Sequence, residues 1–239
     1  MFYCQRESYS RELETEVISC SATSRQLDTA GRKAKVDGFE VTFKETVFFP
    51  EGGGQNADKG LVGGVEVLDV YRRGTVAVHF LAGELQPGSV VRQSLDWNRR
   101  FDNMQQHSGQ HLVSAVLERE YNINTTAWWM AESSENKVGL SYIELDKPVP
   151  PETLSLVEER CNSAIQDAIP VSVKLFQIGD PELDAAHTRG LPADHAGPVR
   201  LIQMGEIDSN LCCGTHVSNL SHLQAIKLLF TEKMALKSI

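Results

Sequence analysis

Two short stretches about half the chain apart, His107-Ser108-Gly109-Gln110-His111 and Cys212-Cys213-Gly214-Thr215-His216, each set a pair of metal-binding side chains four positions apart. On a helix that interval puts both members on one face, a turn from each other. Either pair alone reads as surface or packing residues. Together, with a cysteine among them and with Gly, Ser and Thr as neighbours rather than apolar core residues, they read as two halves of one metal site. Three imidazoles and a thiolate form a donor set that zinc prefers over magnesium or calcium, and one Zn2+ per chain is the expected cofactor, held by His107, His111, Cys212 and His216. A site closed over so long a loop ties two distant parts of the fold together.

The rest of the chain must supply a core for that closure. With 239 residues, 41% of them hydrophobic, it is long enough for one large core or two modest ones. No apolar run approaches the roughly 18 residues of a membrane span, and the start MFYCQRESYSRE is charged where a signal peptide needs an apolar stretch. A soluble cytoplasmic protein with no membrane partner is expected. Five cysteines, an odd number with two adjacent, make a poor disulfide framework and suit a reducing compartment. Cys4, Cys20 and Cys161 then read as buried or inert thiols. The net charge of −9 excludes a protein that coats nucleic acid non-specifically, so any RNA contact is local. The dyads Arg72-Arg73 and Arg99-Arg100 are the candidate patches.

The fold class expected is α+β. In residues 1–98, LETEVISC, GFEVTF, ETVFFP, GLVGGVEVLDV, TVAVHFL and SVVRQSLDW read as short strands separated by glycine-bearing turns, the pattern of a small β-barrel. The polar, lysine-bearing stretch Gln26 to Asp37 reads as an exposed loop. After Trp97 the period changes. From Arg99 to about Tyr121, Phe101, Met104, Leu112, Val116 and Leu117 fall near helical spacing, beside the face that bears both histidines. Pro150-Pro151-Glu152 starts a second helix with Leu154, Val157, Cys161, Ala164, Ile165 and Ala168 on one side. VGLSYIEL, VSVKLF, VRLIQM and LQAIKLLF read as strands, so residues 99–239 are expected to form an α+β domain with a largely antiparallel sheet.

Gly52, Gly53 and Gly54 before Gln55 let a backbone approach a ligand closely and offer successive N–H groups to a phosphate or carbonyl oxygen, though a plain glycine hairpin has the same sequence. No Lys-Ser or Lys-Thr pair follows at P-loop spacing, so ATP is not expected.

PEGGGQNADKG (50 to 60), HSGQH, VEERCNSAIQ (157 to 166) and IDSNLCCGTHV (207 to 217), in that order, resemble the free-standing alanyl-tRNA editing proteins, relatives of the editing domain of alanyl-tRNA synthetase. The resemblance implies a small barrel followed by the α+β editing domain that threonyl- and alanyl-tRNA synthetases share as a second additional domain. It implies hydrolysis of the ester joining serine or glycine to the acceptor end of tRNA(Ala), carried out in trans, with the same four residues as metal ligands. On this resemblance the glycine turn becomes a substrate-facing loop, with Gly53, Gly54 and Gln55 as site residues and Asp58 closing its turn. Gln110, where many relatives carry threonine, and Thr215 become the candidate walls against the alanine methyl. Cys213, where the family usually has glycine, reads as a packing thiol. A non-catalytic zinc-stabilised tRNA-binding module is the alternative that the same ligands allow.

Overall fold

The computed structural model describes residues 1–29, 32–131, 139–181 and 197–232. A short helix α1 (Tyr3–Arg6) leads into six strands, β1 (Glu12–Thr29), β2 (Arg32–Phe43), β3 (Gly60–Val62), β4 (Val65–Arg73), β5 (Val76–Leu81) and β6 (Val90–Leu95). They pair in the order β1-β2-β5-β4-β3-β6, and β6 returns to β1 to close a barrel. Its interior is packed with Val17, Val41, Val62, Val67, Val70 and Leu81, joined by Val47 and Phe48 from the segment between β2 and β3. Gly63 and Gly64, both at positive φ, form the two-residue turn from β3 to β4, a conformation that side chains with a Cβ resist.

Two expectations for this half are corrected. Gln26 to Asp37 is not a loop: Gln26 pairs with Lys35 and Arg25 with Val36 in a long antiparallel ribbon. A two-stranded ribbon exposed on both faces needs no apolar alternation, so composition alone hides it. ETVFFP is not a strand: residues 44–50 run irregularly, and Val47, Phe48 and Phe49 are buried without a ladder. Side chains take the place of strand partners there, the Val47 N–H donating to Gln93 Oε1 (2.8 Å) and the Phe49 N–H to Asp58 Oδ2 (2.6 Å).

Within the barrel, His79 is fully buried between the edges of Phe43 and Phe48. Its Nδ1–H donates to the Val41 carbonyl (3.3 Å) and its Nε2 accepts from the Thr46 hydroxyl (2.8 Å), whose oxygen in turn accepts the Phe48 N–H (3.1 Å). Every polar atom of a neutral imidazole is thereby satisfied. Burial pushes its pKa down to about 4.

Helix α2 (Trp97–Tyr121) begins two residues before the expected Arg99, capped by Asp96, whose carboxylate accepts the Arg99 N–H, and ends at Asn122 in the left-handed region. After it come β7 (Thr125–Trp129), β8 (Tyr142–Leu145), α3 (Pro151–Gln166), β9 (Val171–Phe176), β10 (Val199–Met204), β11 (Asp208–Leu211) and a 3-10 turn (Leu220–Leu223). Strands β9, β10 and β11 form an antiparallel sheet with β10 central, while β7 and β8 stand apart as a hairpin. A second core joins Met104, Leu112, Val116 and Leu117 of α2 to Val157, Cys161, Ala164 and Ile165 of α3 and to Ile202 and Met204 of β10. LQAIKLLF is a further correction, since residues 224–230 form no strand. Helix α3 supplies their partners instead: the Asn162 side chain exchanges two hydrogen bonds with the backbone of Ile226, and Glu158 accepts the Leu228 N–H. Among the described residues no helix is long and apolar enough to cross a membrane.

The two cores are joined by an ion pair. Arg100, on the first turn of α2, and Asp58, ahead of β3, are both fully buried, and the guanidinium meets the carboxylate through Nε (3.0 and 3.1 Å) and Nη2. Nη2 also donates to the Val47 carbonyl (2.6 Å), and Nη1 donates to the Ser8 carbonyl (3.0 Å). This overturns the reading of Arg99-Arg100 as a surface patch, because Arg99 is also committed, its Nε–H donating to the Ala57 carbonyl. Asp58 closes the glycine loop as expected, its N–H donating to the Phe49 carbonyl (3.1 Å) and its carboxylate accepting the Phe49 N–H, and it anchors the helix as well. Arg72 and Arg73 are exposed yet engaged with the Gly74 carbonyl and with Glu40.

Removing one member of a buried, hydrogen-bonded pair strands the other charge, so Asp58→Ala should cost about 3–5 kcal/mol in urea unfolding. Asp58→Ala with Arg100→Met should recover part of that loss. For His79 the folded pKa lies below the unfolded value of about 6.5, so its contribution is complete above that pH and is lost as pH falls toward 4. The wild type should lose about 3 kcal/mol more than His79→Asn across that window, read from urea melts at successive pH values.

Candidate metal centre

Helix α2 carries His107 and His111 one turn apart, and the loop after β11 brings Cys212 and His216 against them. One donor atom from each of the four lies within 4.8 Å of all the others. The three histidines are buried and Cys212 is half-buried. Cys212 Sγ stands 3.3 Å from His107 Nε2 and 3.2 Å from His216 Nε2. The Gly214 N–H points at the same sulfur (3.4 Å).

Each imidazole has its outer nitrogen occupied. His107 Nδ1 meets the amide oxygen of Gln55 (2.9 Å), His216 Nδ1 meets the hydroxyl of Ser108 (3.1 Å), and His111 Nδ1 meets the carboxylate of Asp208 (3.4 Å). That leaves Nε2 of all three for the centre. Among the described residues His111 Nε2 is buried with no hydrogen-bond partner, a cost that coordination to a metal removes. The nitrogen and sulfur donors fit a transition ion such as zinc rather than a hard cation.

The four groups also act on one another's protons. Burial pushes the Cys212 thiol up, but the surrounding imidazoles of His107, His216 and His111 outweigh it and hold the thiol well below its ordinary range. Burial pushes His111 down, yet the Cys212 sulfur and Asp208 carry it up to about 9. Burial prevails at His216 and pushes it down to about 3. By contrast, burial lifts Cys213 to about 11 and both Cys4 and Cys161 to about 12, which leaves these thiols protonated and inert.

The glycine turn lies over this cluster. Gly52 and Gln55 exchange backbone hydrogen bonds across Gly53 and Gly54, both at positive φ. A Cβ at Gly53 would stand 2.7 Å from Cys213 Sγ, and one at Gly54 would stand 1.9 Å from Trp128 Nε1, so the turn touches both walls of the site only because it has no side chains. Gln55 points beneath it with its amide fully engaged: Nε2–H donates to Thr215 Oγ1 (2.8 Å), and Oε1 accepts the Thr215 N–H (2.9 Å) as well as facing His107. Thr215 thus holds Gln55, and Gln55 in turn meets His107. Gln110 lies under the β7–β8 hairpin, donating through Nε2 to the Trp129 carbonyl (3.0 Å), with its buried Oε1 unpartnered among the described residues.

Four contributors escaped the sequence reading. Ser108 and Asp208 sit inside the quoted motifs, but nothing in their spacing marks them as partners of histidines. Trp128, whose ring lies 6.1 Å from that of His107 and 5.8 Å from that of His111, has no motif at all. Arg200, buried on β10, holds the ligand loop by donating from Nη1 to the carbonyls of Cys212 and Gly214, both at 2.7 Å.

Residues 199–237, which include Cys212 and His216, match the family described as threonyl and alanyl tRNA synthetase second additional domain. The alanyl-tRNA editing protein Aarsd1-A of Xenopus laevis is 51% identical over 97% of this chain and 55% of its own length. Aarsd1 of Mus musculus is 49% identical over the same shares, and the putative alanyl-tRNA editing protein alaX of Saccharomyces cerevisiae is 33% identical over 96% of this chain and 54% of its own. The chain therefore spans about half the length of the curated relatives it matches.

If the four donors bind one ion, cobalt(II) titrated into the pure chain should saturate at one equivalent and give thiolate-to-metal absorption. Cys212→Ser should lose that absorption, whereas Cys213→Ser should keep it.

Proposed function

Because the chain belongs to the alanyl-tRNA editing protein family over the part of those proteins that it spans, we propose that it is an aminoacyl-tRNA deacylase acting in trans on tRNA(Ala) mischarged with serine or glycine. The convergence of four donors under a glycine turn carries this reading. In it, residues 1–98 contribute the turn and residues 99–239 the zinc ligands His107, His111, Cys212 and His216.

An aminoacyl ester is already activated, so hydrolysis needs a placed water, a polarised carbonyl and exclusion of the cognate amino acid. Bound zinc supplies Lewis acidity at such a site. The remaining tasks fall to this chain's own groups. The turn's internal hydrogen bonds use the N–H groups of Gly52 and Gln55, and in this reading those of Gly53 and Gly54 donate to the oxygens of the ester or the terminal ribose. Gln55 and Thr215 keep His107 in the tautomer that presents Nε2. The unpartnered Oε1 of Gln110 accepts the hydroxyl of a seryl group, and against alanine it stays buried and unpaired, which disfavours the cognate ester. For glycine, discrimination rests on the space left for a methyl group between Gln110 and Thr215.

The same donors favour a second reading on one observation. Four protein ligands complete a tetrahedron, the pattern of a structural zinc, and that describes a tRNA-binding module without hydrolysis.

The deciding experiment sets Ser-tRNA(Ala), Gly-tRNA(Ala) and Ala-tRNA(Ala) against the zinc-loaded chain. Deacylation of the first two with the third spared is expected, and His107→Ala should reduce it to background with the circular dichroism spectrum retained. Gln110→Ala should narrow the preference for serine over alanine by about tenfold. Tight tRNA binding with no turnover, and unfolding on chelation, would establish the module instead.

A further inference from the structure

The three imidazoles are held by partners of different charge. Gln55 and Ser108 are neutral, whereas Asp208 brings a carboxylate to His111 Nδ1 at 3.4 Å. The Asp208 side chain is only 8% exposed, and among the described residues it forms an ion pair with no lysine or arginine. A carboxylate withdrawn from water without a cation is costly. The group it faces is His111, so its charge is directed at that ring alone among the described side chains.

The fold goes to some length to put it there. Asp208 opens β11 and pairs with Met204 across the β10–β11 ladder. The turn between these strands is fastened to the helix that carries His111, because Arg119 of α2 donates from Nη1 to the carbonyls of Glu206 and Ile207 (2.6 Å for the latter). Arg119 lies eight residues beyond His111, about 12 Å along the helix. One helix therefore presents the ligand and anchors the strand bearing the carboxylate.

We infer that Asp208 is the positioning residue of the metal centre. It holds His111 with Nδ1–H outward and Nε2 toward Cys212, His107 and His216, and it places a negative charge behind that ligand alone. His111 is thereby the most firmly oriented of the three imidazoles, the other two being backed by neutral groups. A carboxylate behind a ligating histidine fixes its orientation and raises its basicity, and loss of such a partner lowers metal affinity about 10–100-fold. The inference rests on the metal-site reading above.

The test measures zinc affinity of the full chain by competition with a chromophoric chelator, for the wild type, Asp208→Ala, Asp208→Asn and Ser108→Ala, with thermal melts of each chelated protein alongside. Asp208→Ala should bind about 10–100-fold more weakly. Asp208→Asn, which keeps an acceptor oxygen without the charge, should fall between it and the wild type, its chelated melt unchanged. Ser108→Ala should lose less than Asp208→Ala. Affinities of both Asp208 variants within twofold of the wild type would overturn the inference and leave the metal site standing. Full recovery in Asp208→Asn would overturn the role of charge. A wild type that binds no zinc would overturn both the inference and the metal-site reading.

Discussion

The buried pairing of Asp58 with Arg100 is the constraint from which the site's geometry follows. It joins a residue just past the glycine turn to the first turn of α2, with both side chains fully buried. Arg100 precedes His107 by seven residues, about 10 Å of helix, so fixing the guanidinium also fixes the height at which both histidines emerge. The same carboxylate accepts the Phe49 N–H, which pins the segment leading into Gly52. A single ion pair thus sets the turn and the helix in register, and Gln55 can then span from one to the other.

Around the centre, polar groups are spent on orientation more than on stability. Gln55, Ser108 and Asp208 each take the outer nitrogen of one imidazole, and Arg200 grips the backbone on either side of Cys213. Buried networks of this kind pay only when every member is satisfied. The atoms left over are informative for that reason: His111 Nε2 lies where a metal fits, and Gln110 Oε1 lies under the hairpin that carries Trp128.

The convergence of His107, His111, Cys212 and His216 was legible in the sequence because metal chemistry restricts residue type and helical geometry restricts spacing, and few other functions impose both. Strands such as β4 and β5 were legible for another reason, their valine-rich runs lying between glycine-bearing turns. Other features were decided by partners distant in the chain. Arg100 reads as a surface residue until Asp58 is seen beside it. Gln26 to Asp37 reads as a loop because its strands pair with each other and bury little. The alternation in LQAIKLLF suggests a strand, but Asn162 and Glu158 of α3 satisfy its backbone first. Ser108 and Asp208 are common residues whose meaning appears only when a histidine ring is placed against them.

The gap between Gly54 and Trp128 couples two positions more than seventy residues apart. Any side chain at 54 demands a smaller one at 128, and shrinking the indole without filling the turn uncovers the imidazoles beneath it. The pair therefore varies as one unit or not at all. Divergence around the cluster is steered toward residues such as Gln110, whose replacement leaves that contact intact.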